Sequence, residues 1–174
     1  MNVLKPAAAA YLALFALILA FPAGRAVGQH TAAKPSLAGT WTLVLVDNVL
    51  PDGSRIHLYG AQPHGILMFD DRGRYSLQIL SADRPRFASN DKSKGTAEEY
   101  QASMRGSNSH FGRYTVHNDS TITFHIEHAS FPNWEGTEQK RSFTLLSDEL
   151  KYTVLTPTSG GAKATGEVIW KRAP

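Results

Sequence analysis

The 174-residue chain contains no cysteine. That absence excludes a thiolate nucleophile, a cysteine-ligated metal and a disulfide framework, so the core alone must hold the fold. It also excludes a lipoprotein-type anchor, which needs a cysteine at the processing point. No long run of one charge is present: 18 Lys and Arg stand against 15 Asp and Glu. Without a basic stripe, nothing argues for a nucleic-acid partner. There is no Gly-x-Ser-x-Gly elbow, no phosphate-binding glycine loop and no dinucleotide fingerprint, so no cofactor is implied.

What is present begins with an unusual N-terminus. Lys5 is followed by an Ala- and Leu-rich run from Pro6 to Gly24, and then by the small-x-small triplet Ala26-Val27-Gly28. A basic start, an apolar centre and a small-residue cleavage site describe a secretory signal. The expected layout is a signal peptide over 1–28, a flexible segment over 29–36 and one domain over 37–174. The expected destination is the periplasm or the exterior. An apolar run of this length also fits an uncleaved anchor. Loss of Lys5 and Arg25 would leave 16 basic against 15 acidic residues, a nearly neutral exported chain.

From Ser36 onward the apolar residues mostly alternate. Trp41, Leu43 and Leu45 share one phase, as do Tyr75, Leu77 and Ile79; so do Ile122, Phe124 and Ile126, and Phe143 with Leu145. Short alternating runs between turn residues are strands. Eight are predicted near 40–48, 64–70, 73–81, 110–117, 120–129, 138–147, 149–156 and 164–172. Asp70-Asp71-Arg72-Gly73, His117-Asn118-Asp119-Ser120, Ser147-Asp148-Glu149 and Ser159-Gly160-Gly161 supply the turns. Thr96 to Glu99 fits a capping box ahead of a short helix over 97–105. Consecutive hairpins leave two open edges unless they close, so the predicted class is all-β: an up-and-down antiparallel barrel of about eight strands with one short helix. A barrel of that size is filled by side chains or holds one small ligand.

Gly39-Thr40-Trp41 at the start of the first strand resembles the Gly-x-Trp signature of lipocalins. The stretches YGAQPHG at 59–65, DRPRFAS at 83–89, HFGRY at 110–114 and FPNWEGTEQKR at 131–141 are more specific. Together they resemble the bacterial and fungal lipocalin-like domain family over residues 37–172. The resemblance implies a small β-barrel with a central cavity, with no cofactor and no settled reaction. In lipocalins a basic residue near the end of the last strand lies over the signature tryptophan, a part that Arg172 or Lys171 would play here beside Gly39 and Trp41. The second and third lipocalin signatures are not evident.

Candidate site residues follow from position. Pro132 and Asn133 make 131–136 a connection between strands, so Phe131 and Trp134 either pack as a lid or touch a ligand. Tyr59, Phe87 and Tyr100 stand in other irregular stretches and have the same two roles open. On the 110–129 hairpin, a two-residue turn at 118–119 would set His110 opposite Glu127 and Tyr114 opposite Thr123. That gathers Tyr114, His125, Glu127 and His110 into a polar patch, with Phe111, Ile122, Phe124 and Ile126 on the other face. Burial favours the apolar face as core; a ligand cavity would instead turn a few polar groups inward. His125 and Glu127 are the candidate acid–base pair. Strand alternation separates His125 from His128, so no metal site is expected. Arg113 and Arg141 either meet an anionic head group or lie on the surface.

Three readings result. The first is an exported barrel binding a small, mostly apolar or amphipathic molecule. The second is a cofactor-independent isomerase or cyclase using the same cavity. The third is a structural envelope protein with a filled barrel.

Overall fold

The computed structural model describes Met1 and residues 36–157 and 163–174. The chain divides into a unit at Met1–Ala33 and a unit at Lys34–Pro174. Beyond Met1 the first unit falls outside the described residues, and with it the predicted signal segment. The Ser159-Gly160-Gly161 turn also lies outside them.

The second unit is one antiparallel sheet closed on itself. Its strands are β1 (Gly39–Val49), β2 (Arg55–His57), β3 (His64–Phe69), β4 (Arg74–Leu80), β5 (Ser107–Asn118), β6 (Thr121–Ala129), β7 (Glu138–Leu146), β8 (Glu149–Val154) and β9 (Thr165–Arg172). Their order is β2-β1-β3-β4-β5-β6-β7-β8-β9, and β1 also pairs with β9. That last pairing makes a closed eight-stranded barrel, with the three-residue β2 added beside the second half of β1. β2 was not foreseen, because three residues show no period. The helix α1 (Ala97–Arg105) interrupts the meander between β4 and β5, and its predicted capping box is formed. A 3-10 turn, Pro132–Trp134, joins β6 to β7.

Local chemistry sets these elements. Gly73 takes φ 84° in the β3–β4 turn, a conformation that side chains resist. Asp70 holds the same turn by accepting from the backbone N–H groups of Arg72 and Arg74 at 2.9 and 2.6 Å. In α1, Glu99 accepts from Thr96 N–H and from Ala88 N–H, both at 2.8 Å, which ties the long 82–95 loop to the helix start.

One end of the barrel is packed around two tryptophans. Trp41 and Trp170 are fully buried there, with Leu37, Leu67, Phe69, Phe143 and Leu150. The Arg172 guanidinium lies 4.1 Å from the centre of the Trp41 ring and donates to the carbonyls of Ala38 and Ser36 at 2.9 and 2.6 Å. Gly39 has φ 125°, and a Cβ there would stand 2.9 Å from Arg172 Nη1.

Two bulges alter the expected faces. The first inserts Val44 between the Leu43–Trp170 and Leu45–Ile169 pairs. Trp41 and Leu43 therefore point inward, Leu45 does not, and Val46 and Asn48 take over the inner face. The expectation that Leu45 shares a face with Trp41 is corrected by this extra residue. The second bulge lies on β6, where Glu127 falls between the Phe111–His128 and Gly112–Ile126 pairs.

Candidate functional site

The end of the barrel away from Trp41 is hollow. β1 contributes Val46 and Asn48, β4 Leu77 and Ile79, β5 Asn108 and His110, β7 Gln139 and Arg141, β8 Tyr152 and Val154, and β9 Gly166 and Val168. Leu58 and Tyr59 from the chain after β2, Trp134 from the 3-10 turn, Glu138 and Lys140 of β7, and Thr156 and Pro157 after β8 complete a cavity of about 320 Å³. Alternation explains the membership. On every contributing strand but β7 the lining residues are spaced by two, while on β7 the four residues Glu138 to Arg141 all border the hollow.

The polar wall is short of charge balance. His110 is 7% exposed, and its Nδ1 lies 2.8 Å from the Tyr75 hydroxyl. Burial, with the Arg141 cation adding to it, pushes the His110 pKa down to about 3, so the ring is neutral at physiological pH. Burial also raises the Tyr75 and Tyr59 phenols, and it pushes Tyr152 up to about 12. Phe124 packs on Tyr75, His110 and Tyr152 at ring distances of 4.7, 6.0 and 6.0 Å, tying this wall to the core. Arg141 donates to Gln139 Oε1 on its own strand. Burial lowers its pKa, since desolvation disfavours the cation. The Asn108 side-chain oxygen is buried without a hydrogen-bond partner. Among the described residues no group of three or more His, Asp or Glu is placed to hold a metal ion.

The sequence matches the lipocalin-like domain family over residues 38–173. The chain belongs to this lipocalin-like family. It is also 28% identical over 107 residues to the 4'-hydroxy-3'-methoxypropiophenone carrier protein of Aspergillus oryzae, a match covering 57% of this chain and 96% of the relative. Among solved structures, a lipocalin-like protein from Bacteroides uniformis is similar at 16% identity with a TM-score of 0.43, covering 79% of this chain and 98% of that one.

Within this lipocalin-like barrel, Tyr59, Trp134 and Arg141 line the cavity. Phe131 stands beside them at one remove: its ring meets Trp134 edge-on at 5.5 Å, and Trp134 meets His110 edge-on at 5.9 Å. Phe87 and Tyr100 are not brought to the cavity. They pack on each other at 5.4 Å where the 82–95 loop meets α1, and Tyr100 Oη accepts from Gly95 N–H at 2.9 Å. Tyr114 points inward near the packed end, beside a second hollow lined by Leu37, Val116 and Phe143, and donates to the Asp70 carbonyl at 2.8 Å.

The polar patch expected on the 110–129 hairpin does not form. The turn falls at Asp119–Ser120, because Asn118 pairs with Thr121; the irregularity between Val116 and Asn118 shifts the pairing by one residue, and the bulge at Glu127 shifts it back. Tyr114 stands opposite Phe124 and His110 opposite Ala129, so both face inward. His125, Glu127 and Phe111 face outward. His125 Nδ1 lies 2.9 Å from Glu138 Oε1 and its Nε2 3.0 Å from Thr115 Oγ1. Glu127 takes both guanidinium nitrogens of Arg74, at 3.3 and 2.8 Å, and these hold its carboxyl below the usual range. Arg113, 64% exposed, sits 3.9 Å from the same carboxylate. His125 and Glu127 are therefore a surface pair with separate partners, and Arg113 is a surface arginine. Phe111 joins His128 outside at a ring distance of 5.4 Å.

Sequence reasoning passed over Tyr75, Tyr152, Asn108 and Gln139. The signal for two of them was available. Tyr75 is in phase with Leu77 and Ile79, and Tyr152 with Leu150 and Val154, so an inward phenol was readable at both.

Proposed function

We propose that this lipocalin-like protein is a binding or carrier protein that holds one small, mostly apolar molecule in the cavity beside Arg141. One observation carries the reading: a hollow of about 320 Å³ inside the barrel, with aliphatic walls on β1, β4 and β9 and a few convergent polar groups. Ligand sites have this composition, and a volume at the low end of their usual range suits a molecule of one ring with short substituents. The distant relative named as a carrier of a phenolic ketone supports the class. The same hollow weighs against a filled structural barrel. The outward, separately paired His125 and Glu127 weigh against an acid–base reaction through those two groups. We extend the proposal to export, on the strength of the signal-like pattern over 1–28.

The test is calorimetric titration of the exported form with 4'-hydroxy-3'-methoxypropiophenone, paired with mass spectrometry of protein extracted from its native host. A saturable isotherm, abolished by the cavity-filling Leu77→Trp with the melting transition kept, supports the carrier reading. No isotherm together with no co-purifying small molecule overturns it.

A further inference from the structure

Arg141 differs from other arginines of the barrel. Arg55 is paired with Asp47 and Glu167, Arg74 with Glu127, and Arg172 with two carbonyls and the Trp41 ring. Among the described residues no carboxylate forms an ion pair with Arg141, and its hydrogen-bond acceptor is the neutral Gln139. It reaches the cavity from β7, between the buried Tyr152 and the neutral His110. Neither neighbour offers a negative charge, and Glu138, the one carboxylate among the lining residues, is engaged by His125 Nδ1 at 2.9 Å. A guanidinium carries five N–H donors in a planar fork, and one glutamine oxygen leaves most of that fork unmatched. Arg141 is half-buried, and a partly desolvated cation without a counter-charge carries a cost that an incoming anion reduces. The fork also matches a carboxylate in a bidentate way, which a lysine could not do.

We propose that the cavity selects ligands bearing an anionic oxygen, namely a carboxylate on a small aromatic or short apolar body, with that oxygen seated on Arg141. The aliphatic walls take the body and Trp134 covers it at the mouth. This inference rests on the carrier reading and sharpens it from a mostly apolar ligand to a small organic acid.

The probes are vanillate and its methyl ester, alike in body and different in charge. Titrated at neutral pH, the wild-type protein binds the acid at least about tenfold tighter than the ester, the range expected of a charge-assisted hydrogen bond. Arg141→Gln brings that ratio toward one, and Arg141→Lys keeps part of it. The wild-type ratio is decisive by itself should the glutamine variant fold poorly. Equal affinities in the wild type, or a preference that survives Arg141→Gln, overturn the acid selectivity and leave the carrier reading standing. Failure of both probes and of the phenolic ketone to bind removes both.

Discussion

His110 is the residue at which burial and chemistry conflict most. Its ring is enclosed by Tyr75, Phe124 and Trp134, and it stays neutral because burial disfavours the cation, with the nearby Arg141 charge adding to the penalty. In the unfolded chain the same ring takes up a proton near 6.5, whereas in the barrel it does so only near 3. Between those values the unfolded state binds more protons, so stability falls as pH falls through this window and is fully present above it. The carboxylates also titrate at the acid end, so the histidine shows most clearly from pH about 6.5 to 5, where Asp and Glu remain ionised. His110→Asn keeps an acceptor near Nδ1 for the Tyr75 hydroxyl but cannot take a proton. Its denaturant midpoint should stay nearly flat over that window while the wild-type midpoint drops. Parallel curves would show that His110 is not the group responsible. The sequence pointed to a histidine on this strand but not to its enclosure, which goes with a register that sets His110 opposite Ala129, two residues from the Glu127 that a 118–119 turn predicts.

At the scale of elements, β5 and β6 decide which groups reach the cavity, and Gly112 is where they decide it. A Cβ at Gly112 would stand 2.1 Å from the His125 carbonyl oxygen and 2.8 Å from Glu127 N. The bulge at Glu127 brings one strand this close to the other, and only a residue without a side chain fits. Gly112→Ala must push the strands apart or remove the bulge. Removing it would rotate His128 or Glu127 inward and move Ala129 out of register with His110. We expect a loss of about 2–4 kcal/mol, in line with backbone overpacking at a closed site. A comparable fall in ligand affinity should accompany it, whereas a surface control such as Thr115→Ala stays near wild type. A Gly112→Ala protein with unchanged melting would show that the bulge is dispensable. Strand existence, the capping box and the barrel class were legible because they rest on local period and local capping. The bulges at Val44 and Glu127 were not, since an extra residue is visible only against the partner strand. That is why the surroundings of Arg141, which lines the cavity from β7, were not legible, and why His125 and Glu127 were grouped with inward residues they never meet.

At the scale of the whole molecule the barrel separates stability from binding along its axis. The packed end holds both fully buried tryptophans, the cavity occupies the other end, and the β1–β9 seam runs past both. Arg172 fastens the packed end three ways: its guanidinium covers Trp41, and it donates to Ala38 and Ser36 ahead of β1. Arg172→Ala removes a cation–π contact and two hydrogen bonds at once, together on the order of 2 kcal/mol. For a domain of this size that lowers the melting temperature by roughly 4–8 °C. The change should be local. Amide exchange should rise around Trp41 and at Ala173 N–H, which donates to Thr40. The Val46–Asn48 stretch, paired with β9 at Gly166–Val168 beside the cavity, should keep its protection. Ligand affinity should then match the wild type, because no atom of Arg172 lines the cavity. Equal loss of protection at both ends, with weakened binding, would instead mean that the barrel opens as one unit. In that case the packed end holds the cavity in shape through the continuous β1–β9 ladder, and binding energy would feed back on global stability.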